Sequence, residues 1–596
     1  MKSYSLPAAL LLGSSVVLAD TANTLSPVIV TATRTAQTAD ETLASVTVIT
    51  REQIEREQAS NLPELLGRVP GVQMINNGGR GKNSSIFMRG TNSDQVLVLI
   101  DGIKAGSATL GAVSFEHLAL DQIERIEIVR GPRSSLYGSE AIGGVIQIFT
   151  RKGGEGVKPR VSAEVGSHGS RELAVGLSGG TRKSWYNLSL SDFSTDGFDS
   201  RIGLEPDNDG YDNQSVALSA GHRLNEVAEL SVNWSRNEGE NEFDGNPNAS
   251  DNDLEVLGAK LRLSPTAEWN LDLSVGRSTD ESTNFTDGVF FSRFDTERDV
   301  ASLVSEHFFG DVSQLTWGLD YQEDQVSSNS DFAVRSRDNV GVFGLYQLFF
   351  GRQDLAFSLR HDDNEQFGSQ NTGSVAWGLE LAPHMRLVAS YGTAFKAPTF
   401  NDLYWPGAGN PALQPEESES WELGLSGDHA GVRWSANLYQ TDVDNLIAWQ
   451  PSPTPLDPFR WIPMNVNEAR IRGLELVAST RIAHWDLSSS LDLLDPKDRS
   501  DDSVLNRRAR KVLNVSADRD FGRYSVGGAL QAVGKRPDGS EWLGGYTKVD
   551  LRAGYQLAQD WSLKGRIENL FDKDYQTAAA FNQDGRTYWL SLHYAP

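Results

Sequence analysis

The chain contains no cysteine among its 596 residues, and its 54 Lys and Arg residues are outnumbered by 80 Asp and Glu residues. A disulfide scaffold and a thiolate metal site are therefore excluded. The formal net charge of -26 argues against a surface that binds nucleic-acid phosphates. Beyond the amino terminus, no apolar run approaches the roughly 18 residues that a membrane-spanning helix needs. If the protein crosses a membrane, it must do so with strands.

The amino terminus is typical of an export signal. Lys2 precedes an apolar stretch over residues 6–18, and Ala19 occupies the small-residue position before a cleavage site. We therefore expect residues 1–19 to be a signal peptide and the mature chain to begin near Asp20. The alternative interpretation of this stretch is a short buried helix.

Alternation of apolar and polar residues recurs in short blocks after residue 158. It is clear at 230–235, 257–263, 315–321, 355–359 and 434–438. A soluble β-sandwich would show similar alternation, but the repetition, the Trp and Tyr near strand ends and the exported context favour a transmembrane barrel. About 440 residues at ~20 per strand and connection give about 22 strands, although about 16 would also fit. We therefore predict that residues 154–596 form a transmembrane antiparallel β-barrel.

The connections between these blocks differ in length and composition. Brief connections at 223–229 and 264–269 contrast with long acidic segments rich in Asn, Gly and Pro at 196–212, 237–253 and 405–418. Short turns at one end and long loops at the other are typical of a barrel with a periplasmic and an extracellular end. Ligand contacts are expected in the long loops.

Residues 36–153 have a different pattern, which predicts a compact α/β domain. Residues 50–53 have the spacing of a helix-capping box. Strands are predicted at Val96–Ile100, 123–129 and 145–149. This domain is too polar to face lipid. A small domain before a barrel wide enough to contain it indicates a plug in the barrel lumen.

A family resemblance is carried by motifs that follow one another along nearly the whole mature chain. The first is an extended segment similar to a Ton box, which comprises Ser26, Pro27, Val28, Ile29, Val30, Thr31 and Ala32. Plug-like motifs stand at 86–91, 98–102 and 129–138, and barrel-like motifs at 395–398, 409–416 and 568–575. With these motifs the chain resembles the TonB-dependent outer-membrane receptors.

The resemblance implies a mechanism as well as a location. Residues 20–35 would be a periplasmic leader whose Ton box is gripped by TonB and its inner-membrane motor. The sequence offers no nucleotide site, and an outer membrane holds no ion gradient, so uphill import needs such an external energy source. A β-branched extended segment can add as a strand to a partner. No serine–histidine–acid arrangement carries a nucleophile motif, so an enzyme is not predicted.

Within the family, the likeness is strongest to cobalamin transporters. It rests on 77–79, 84–92 and the block 585–588. The implied function is TonB-dependent import of cobalamin or a related corrinoid through the outer-membrane lipid. Uptake of a ferric siderophore or another metal chelate is the main alternative. A passive channel, or a surface receptor exploited by phages or toxins, is an alternative from another class, although such proteins need no Ton box.

The same resemblance implies a calcium site formed by two neighbouring extracellular loops. Its expected ligands are Asp199, Asp207, Asp209 and Asp244, with Asp251 or Asp253 as a further ligand. Calcium takes six to eight hard oxygens, and loops with several like charges are destabilised until a cation joins them. A merely solvated acidic loop is the alternative interpretation.

The implied substrate contacts lie on two plug apices. They are Asn83 and Ser84 on one apex and Leu110 and Gly111 on the other, with Arg80 and Lys82 nearby. For each of them the alternative is a surface loop that contacts no ligand.

Overall fold

The computed structural model describes residues 29–30, 34, 37–38, 42–451, 461–465 and 468–596. The expected signal peptide and the Ton-box residues Ser26, Pro27, Val28, Thr31 and Ala32 lie outside the described residues.

An α/β unit precedes the barrel. Its strands and helices are β1 Ile29–Val30, β2 Gln37–Thr38, β3 Val46–Thr50, α1 Arg51–Glu57, α2 Leu62–Leu66, β4 Val72–Asn76, β5 Ser84–Met88, β6 Val96–Ile100, β7 Ile103–Ala105, β8 Ile123–Arg130, α3 Ser134–Tyr137 and β9 Gly144–Thr150. Single 3₁₀ turns occupy Ser93–Gln95, Phe115–His117 and Leu120–Gln122. In the described part of the chain, no helix is long and apolar enough to cross a membrane.

Local sequence accounts for the first two helices. Thr50 caps α1, with its side chain accepting from the Gln53 backbone while the Gln53 side chain accepts from the Thr50 backbone. Asn61 caps α2, which has a proline in its first turn. Helix α1 packs on β3 and β8 of a sheet of order β3-β8-β9-β6-β7, in which β6 and β9 are parallel. Helix α2 packs against the separate β4-β5 pair, and its buried leucines join the same hydrophobic core. Strand β6 is buried along its whole length, as its uninterrupted apolar sequence predicts.

The remainder of the chain is dominated by long strands. The elements are β10 Gly156–Gly166, β11 Arg171–Gly180, β12 Ser184–Phe198, β13 Asp209–Arg223, β14 Ala228–Glu242, β15 Ala249–Thr266, β16 Trp269–Thr286, β17 Val289–Phe309, β18 Ser313–Ser328, β19 Ser336–Phe350, β20 Gln353–Asn364, β21 Gly368–Ala382, β22 Met385–Lys396, α4 Phe400–Tyr404, β23 Glu416–His429, β24 Val432–Asp444, β25 Ile447–Pro451, β26 Trp461–Asn465, β27 Ala469–Ile482, β28 Trp485–Asp498, β29 Lys511–Asp520, β30 Tyr524–Val533, β31 Arg536–Asp538, β32 Glu541–Leu543, β33 Tyr546–Ala558, β34 Trp561–Glu568 and β35 Thr587–Tyr594.

These strands close into an antiparallel barrel of 22 strands, which confirms the predicted fold and strand number. Strand β35 closes the barrel by pairing with β10, with Tyr594 opposite Val161. The short pairs β25-β26 and β31-β32 lie outside the barrel sheet, in extracellular loops. On β14, Leu230 and Val232 are 40% and 39% exposed, whereas Asn237 faces the lumen and is buried. An apolar outer face against lipid is the arrangement that a membrane barrel requires.

The two ends of the barrel differ as the sequence predicts. Turns at one end are brief, for example 224–227 and 267–268, whereas loops at the other end include 199–208, 397–415 and 569–586. The predicted loop over 237–253 is much shorter, because β14 continues to Glu242 and β15 begins at Ala249. The residues added to these two strands are polar on both faces, so hydrophobic alternation does not mark them as strand.

The α/β unit lies inside the barrel and serves as its plug. Its Glu140 side chain pairs with Arg298 of β17 at 2.9 Å, and its His117 ring contacts the Tyr211 hydroxyl of β13 at 2.9 Å. On another side, Gly90 packs against Ile471 of β27. Contacts to well-separated strands are possible only for a domain that the barrel surrounds.

Candidate functional site

Arg89 connects the plug to the barrel wall with four hydrogen bonds. Its guanidinium donates to both carboxylate oxygens of Glu422 at 2.9 and 3.0 Å, and to both of Glu475 at 2.8 and 2.9 Å. Between these two residues, the ring of Tyr439 lies 4.2 Å below the guanidinium carbon. Although burial opposes the charge, Glu422 and Glu475 raise the pKa of Arg89 well above its usual value. Arg89 therefore stays charged and connects the plug to β23 and β27.

The leader is connected to a different part of the barrel wall. Ile29 and Val30 of the Ton-box motif form β1, which pairs with Thr38 and Gln37 of β2. From the same segment, Gln37 donates to Gln347 of β19 at 2.7 Å.

Arg34, between these two short strands, forms a further connection to the wall. Its guanidinium donates to both oxygens of Asp320 of β18 at 2.8 and 2.9 Å. It also lies 4.7 Å from the ring centroids of Tyr137 in the plug and Phe343 in the wall. Arg34 of the leader thus contacts both the plug and the barrel wall.

Apex 1 is the turn between β4 and β5, and it carries Asn83 and Ser84. Asn76 holds the turn by accepting from the backbone of Gly78 and Gly79 and by donating to the Ser84 hydroxyl. Ser84 is buried and donates to the Lys82 carbonyl, whereas Asn83 is exposed. Of the two predicted contacts, Asn83 faces solvent and Ser84 supports the turn.

Lys82 connects apex 1 to the barrel. Its buried ammonium donates to the carbonyls of Asp209 and Gly210 at 3.1 and 3.0 Å, and to the Asn241 side chain at 2.8 Å. All three of its donors are thereby used. Burial lowers the pKa of Lys82 to about 8. These partners lie on β13 and β14 at the base of the acidic loops.

Arg80 lies at the side of apex 1, between the plug and the wall. Its guanidinium is stacked 3.8 Å from the ring centroid of Phe193 on β12 and lies 3.7 Å from the Glu172 carboxylate on β11. It also donates to the Ser60 carbonyl of the plug. The side chain is therefore occupied by contacts between plug and wall.

Apex 2 is the turn between β7 and the 3₁₀ turn Phe115–His117, and it carries Leu110 and Gly111. Leu110 is 59% exposed, which is unusual for a leucine at the top of a buried domain. Gly111 has φ +74°, and an added Cβ would lie 2.9 Å from the Thr399 methyl group. This glycine lets apex 2 approach the extracellular loop 397–415 closely.

That loop is held on apex 2 by backbone hydrogen bonds. Phe400 donates to the Ala108 carbonyl at 3.2 Å and Asn401 to the Thr109 carbonyl at 3.3 Å. Helix α4 and the residues packed against it place five aromatic side chains beside the apex. We refer to this group as the aromatic wall: Phe294, Phe332, Phe400, Tyr404 and Trp405. Within it, Phe294 and Trp405 stack at 5.5 Å. No motif in the sequence marks this wall as part of the site.

An acidic cluster lies in the loops beyond β12 and β14. Carboxylate oxygens of Glu205, Asp207 and Asp244 all lie within 4.8 Å of one another. Asp244 is buried, and its Oδ2 has no hydrogen-bond partner among the residues that the structure describes. Burial and the charges of Asp209, Asp199 and Asp207 raise the pKa of Asp244. The cluster therefore concentrates oxygen donors and negative charge at one point.

The structure distributes the six predicted calcium ligands unequally. Asp207 and Asp244 belong to the cluster, and Asp199 and Asp209 lie close enough for their charges to act on Asp244. Asp253 instead pairs with Arg236 at 2.6 Å, and Asp251 is exposed. Both share the face of β15 with exposed Leu257, which points away from the lumen.

Glu205 is a cluster member that the sequence analysis did not predict. It lies in the segment 199–208, so its position in an acidic loop was the available signal. Its backbone N–H donates to Asp244 Oδ1 at 3.1 Å.

Comparison with protein-family models gives two matches in chain order. Residues 38–145 match the TonB-dependent receptor plug domain, and residues 166–570 match the TonB-dependent receptor-like β-barrel. The two matched segments correspond to the plug and the barrel of the structure.

Curated relatives are similar over almost the whole chain. The vitamin B12 transporter BtuB of Photobacterium profundum is 38% identical over 583 residues, which are 95% of this chain and 95% of that protein. The vitamin B12 transporter BtuB of Vibrio cholerae is 34% identical over 618 residues, covering 98% of each chain.

Solved structures share the fold at lower identity. The siderophore receptor PirA from Acinetobacter baumannii has a TM-score of 0.81 and 18% identity, covering 92% of this chain and 98% of its own. The copper transporter OprC has a TM-score of 0.79 and 19% identity, covering 92% of this chain and all of its own. The barrel model alone covers well over half of the sequence. The chain therefore belongs to the family of TonB-dependent receptors, which are outer-membrane transporters with a plug domain inside a β-barrel.

Proposed function

We propose that this receptor imports cobalamin or a related corrinoid across the outer membrane. The assignment of the substrate is supported by the 38% identity to a vitamin B12 transporter over 95% of both chains. Likeness to siderophore receptors and to a copper transporter lies below 25% identity and concerns the fold. Uptake of a ferric siderophore or another metal chelate is the second candidate.

The proposed ligand surface combines the exposed parts of both apices with the partly exposed members of the aromatic wall, Phe294, Tyr404 and Trp405. A corrinoid has a broad, flat macrocycle with amides around its edge. Leu110 offers an exposed apolar contact, and Asn83 offers an amide that can donate and accept. Gly111 sets the position of apex 2, and Ser84 that of apex 1. Arg80 is not included, since its guanidinium already contacts Phe193 and the Ser60 carbonyl.

A calcium ion held by the acidic cluster is part of the proposal. Glu205, Asp207 and Asp244 would hold it, with Asp199 and Asp209 contributing negative charge nearby. The donor set fits, because calcium prefers carboxylate oxygens and Asp244 Oδ2 is buried without a partner in the described part of the chain. The bound ion would offset repulsion among the carboxylates and hold the two loops together.

Energy would reach the plug through the Ton box. We infer that residues Ser26 to Ala32 add as a strand to TonB, which separates β1 from β2. Continued pulling would next act on Arg34 and its contacts with Asp320 and Tyr137. Arg89 would hold its side of the plug longest, because its four hydrogen bonds to two buried carboxylates are charge-assisted.

Equilibrium binding to the purified receptor tests this function. Cyanocobalamin should bind tightly, and binding should weaken when calcium is chelated or in an Asp207→Ala/Asp209→Ala variant. An Asp251→Ala/Asp253→Ala variant is the matched control, since these carboxylates point away from the lumen. Binding of ferric siderophores without any binding of cyanocobalamin would overturn the corrinoid assignment in favour of the second candidate.

A further inference from the structure

Two cavities lie one above the other along the same side of the plug, against β10–β13 and β33–β35. The upper cavity is open to solvent and reaches His168 and Asp584 in the extracellular loops. The lower cavity is likewise open and reaches Arg51 and Glu55 of α1 and Lys564 of β34. Together they follow the boundary between plug and wall, which we refer to as the seam.

Both ends of the seam are in contact with water. At the upper end, His168 and Asp584 are 34% and 39% exposed and form an ion pair at 2.9 Å when the histidine is protonated. At the lower end, the Glu55 side chain is 46% exposed. Each cavity is therefore reached from one end of the seam, and the two cavities adjoin between these ends.

The cavities have four lining residues in common, which are Ser60, Asn61, Arg80 and Phe193. Arg80 contacts two of the other three directly, by donating to the Ser60 carbonyl of the plug and by stacking at 3.8 Å on Phe193 of the wall. Its guanidinium also lies 3.7 Å from Glu172, which lines the lower cavity. The side chain thus spans the seam from plug to wall where the two cavities adjoin.

We propose that Arg80 closes a hydrated path for small ions along the seam. The closure consists of side-chain contacts of Arg80 with Phe193 and the Ser60 carbonyl, so shortening Arg80 removes it without breaking a backbone–backbone hydrogen bond. The proposal does not depend on which ligand the receptor imports.

The lining predicts which ions would pass once Arg80 is removed. Carboxylates along the seam outnumber the remaining Lys and Arg residues. The carboxylates are Glu55, Glu64, Asp121, Glu164, Glu172, Asp209, Glu568 and Asp584, and the cations are Arg51, Lys548, Lys564 and Arg566. Glu116 is not counted, because burial raises its pKa to about 8. A lumen with an excess of negative charge favours cations, and Arg80 itself adds a positive barrier at the constriction.

Planar-bilayer recordings of the purified receptor in a KCl gradient test the proposal. Arg80→Ala should raise the ion current above the wild-type level and displace the reversal potential toward that of K⁺. Phe193→Ala removes the wall half of the same contact and should have the same effect. Folding of each variant is verified by the heat-dependent mobility of the barrel on gels.

The matched control is Arg125→Ala. Arg125 is also a plug arginine with a carboxylate partner, Glu127 at 2.9 Å, and an aromatic partner, Phe149 at 3.6 Å, but it lines neither cavity. Its loss should leave the current at the wild-type level. The proposal is overturned if folded Arg80→Ala and Phe193→Ala conduct no more than the wild type, or if Arg125→Ala conducts equally well.

Discussion

Arg34 and Asp320 form a two-point ion pair, at 2.8 and 2.9 Å, between the leader and the inner face of the barrel. The Arg34 side chain is 12% exposed and that of Asp320 is 15% exposed. Since the Ton-box strand β1 precedes Arg34 by only a few residues, this pair is positioned to resist withdrawal of the leader. Asp320 also accepts from Arg360 at 2.5 Å, which keeps the carboxylate oriented when Arg34 leaves.

The first prediction concerns release of the leader. Arg34→Ala should speed maleimide labelling of a cysteine introduced at Gln37, because the pair with Asp320 no longer holds the segment against the wall. The chain has no cysteine of its own, so this label is unique. Asp320→Ala should have the same effect, and Arg182→Ala, at a 91% exposed side chain, should have none. Equal labelling rates in all four proteins would contradict this role.

The second prediction concerns plug stability. Arg89→Ala leaves Glu422 and Glu475 without their shared cation, and breaking a buried pair in this way costs about 3–5 kcal/mol. Urea-dependent labelling of an Ala141→Cys reporter, at a fully buried plug position, measures the free energy of plug unfolding. A loss below about 1 kcal/mol, the range of an exposed ion pair, would show that Arg89 does not anchor the plug.

The third prediction concerns the pH dependence of that stability. Burial lowers the pKa of Lys82 from 10.5 to about 8, so between these values the unfolded chain binds more protons than the folded chain. This residue therefore makes plug stability rise with pH from about 8 to about 10.5, by about 3 kcal/mol in total. The rise should be smaller by that amount in Lys82→Met. Identical pH profiles of urea unfolding in the two proteins would contradict it.

The fourth prediction concerns the acidic cluster in the absence of divalent cations. Because burial and neighbouring carboxylates raise the pKa of Asp244, its charge opposes folding of the loop at neutral pH, and protonation relieves that cost as the pH falls. With a chelator present, proteolysis within 199–208 should therefore slow as the pH is lowered from 7.5 through the raised pKa of Asp244. Asp244→Asn should slow it at pH 7.5 while weakening protection by calcium. A pH-independent rate in both proteins would argue against repulsion in the cluster.

The fifth prediction concerns the ligand surface. Leu110→Ala removes exposed apolar area without opening a cavity, so stability should be unchanged while cyanocobalamin affinity falls about tenfold, which corresponds to about 1.4 kcal/mol. Leu224→Ala, at an exposed leucine in a turn at the opposite end of the barrel, is the matched control. If Leu110→Ala bound cyanocobalamin with unchanged affinity, apex 2 would not be part of the ligand surface.

Local rules explain which parts of this fold could be predicted. The capping box at Thr50, the buried strand β6 and the alternation at Leu230 and Val232 depend on neighbouring residues alone, and the structure agrees with each. Strand number followed from chain length and the regular spacing of the alternation. The polar ends of β14 and β15 were predicted as loop, because they lack the apolar alternation that indicates a strand. In the structure they are joined by polar contacts instead, such as the ion pair of Arg236 with Asp253.

The site was less predictable because distant segments form it. Arg80 follows a glycine-rich turn, and only the fold brings Phe193 of β12 beneath its guanidinium. The contact of loop 397–415 with apex 2 depends on backbone groups, which leave no side-chain signal. Glu205 joins Asp207 and Asp244 through loop conformation rather than through spacing.

Uptake of radiolabelled cyanocobalamin by cells that lack their own cobalamin receptor tests the central claim most directly. The cells express this receptor with or without a functional TonB, and the measured quantity is the label accumulated inside the outer membrane. The account predicts accumulation that requires both the receptor and TonB. No accumulation in either strain, or equal accumulation with and without TonB, would contradict it.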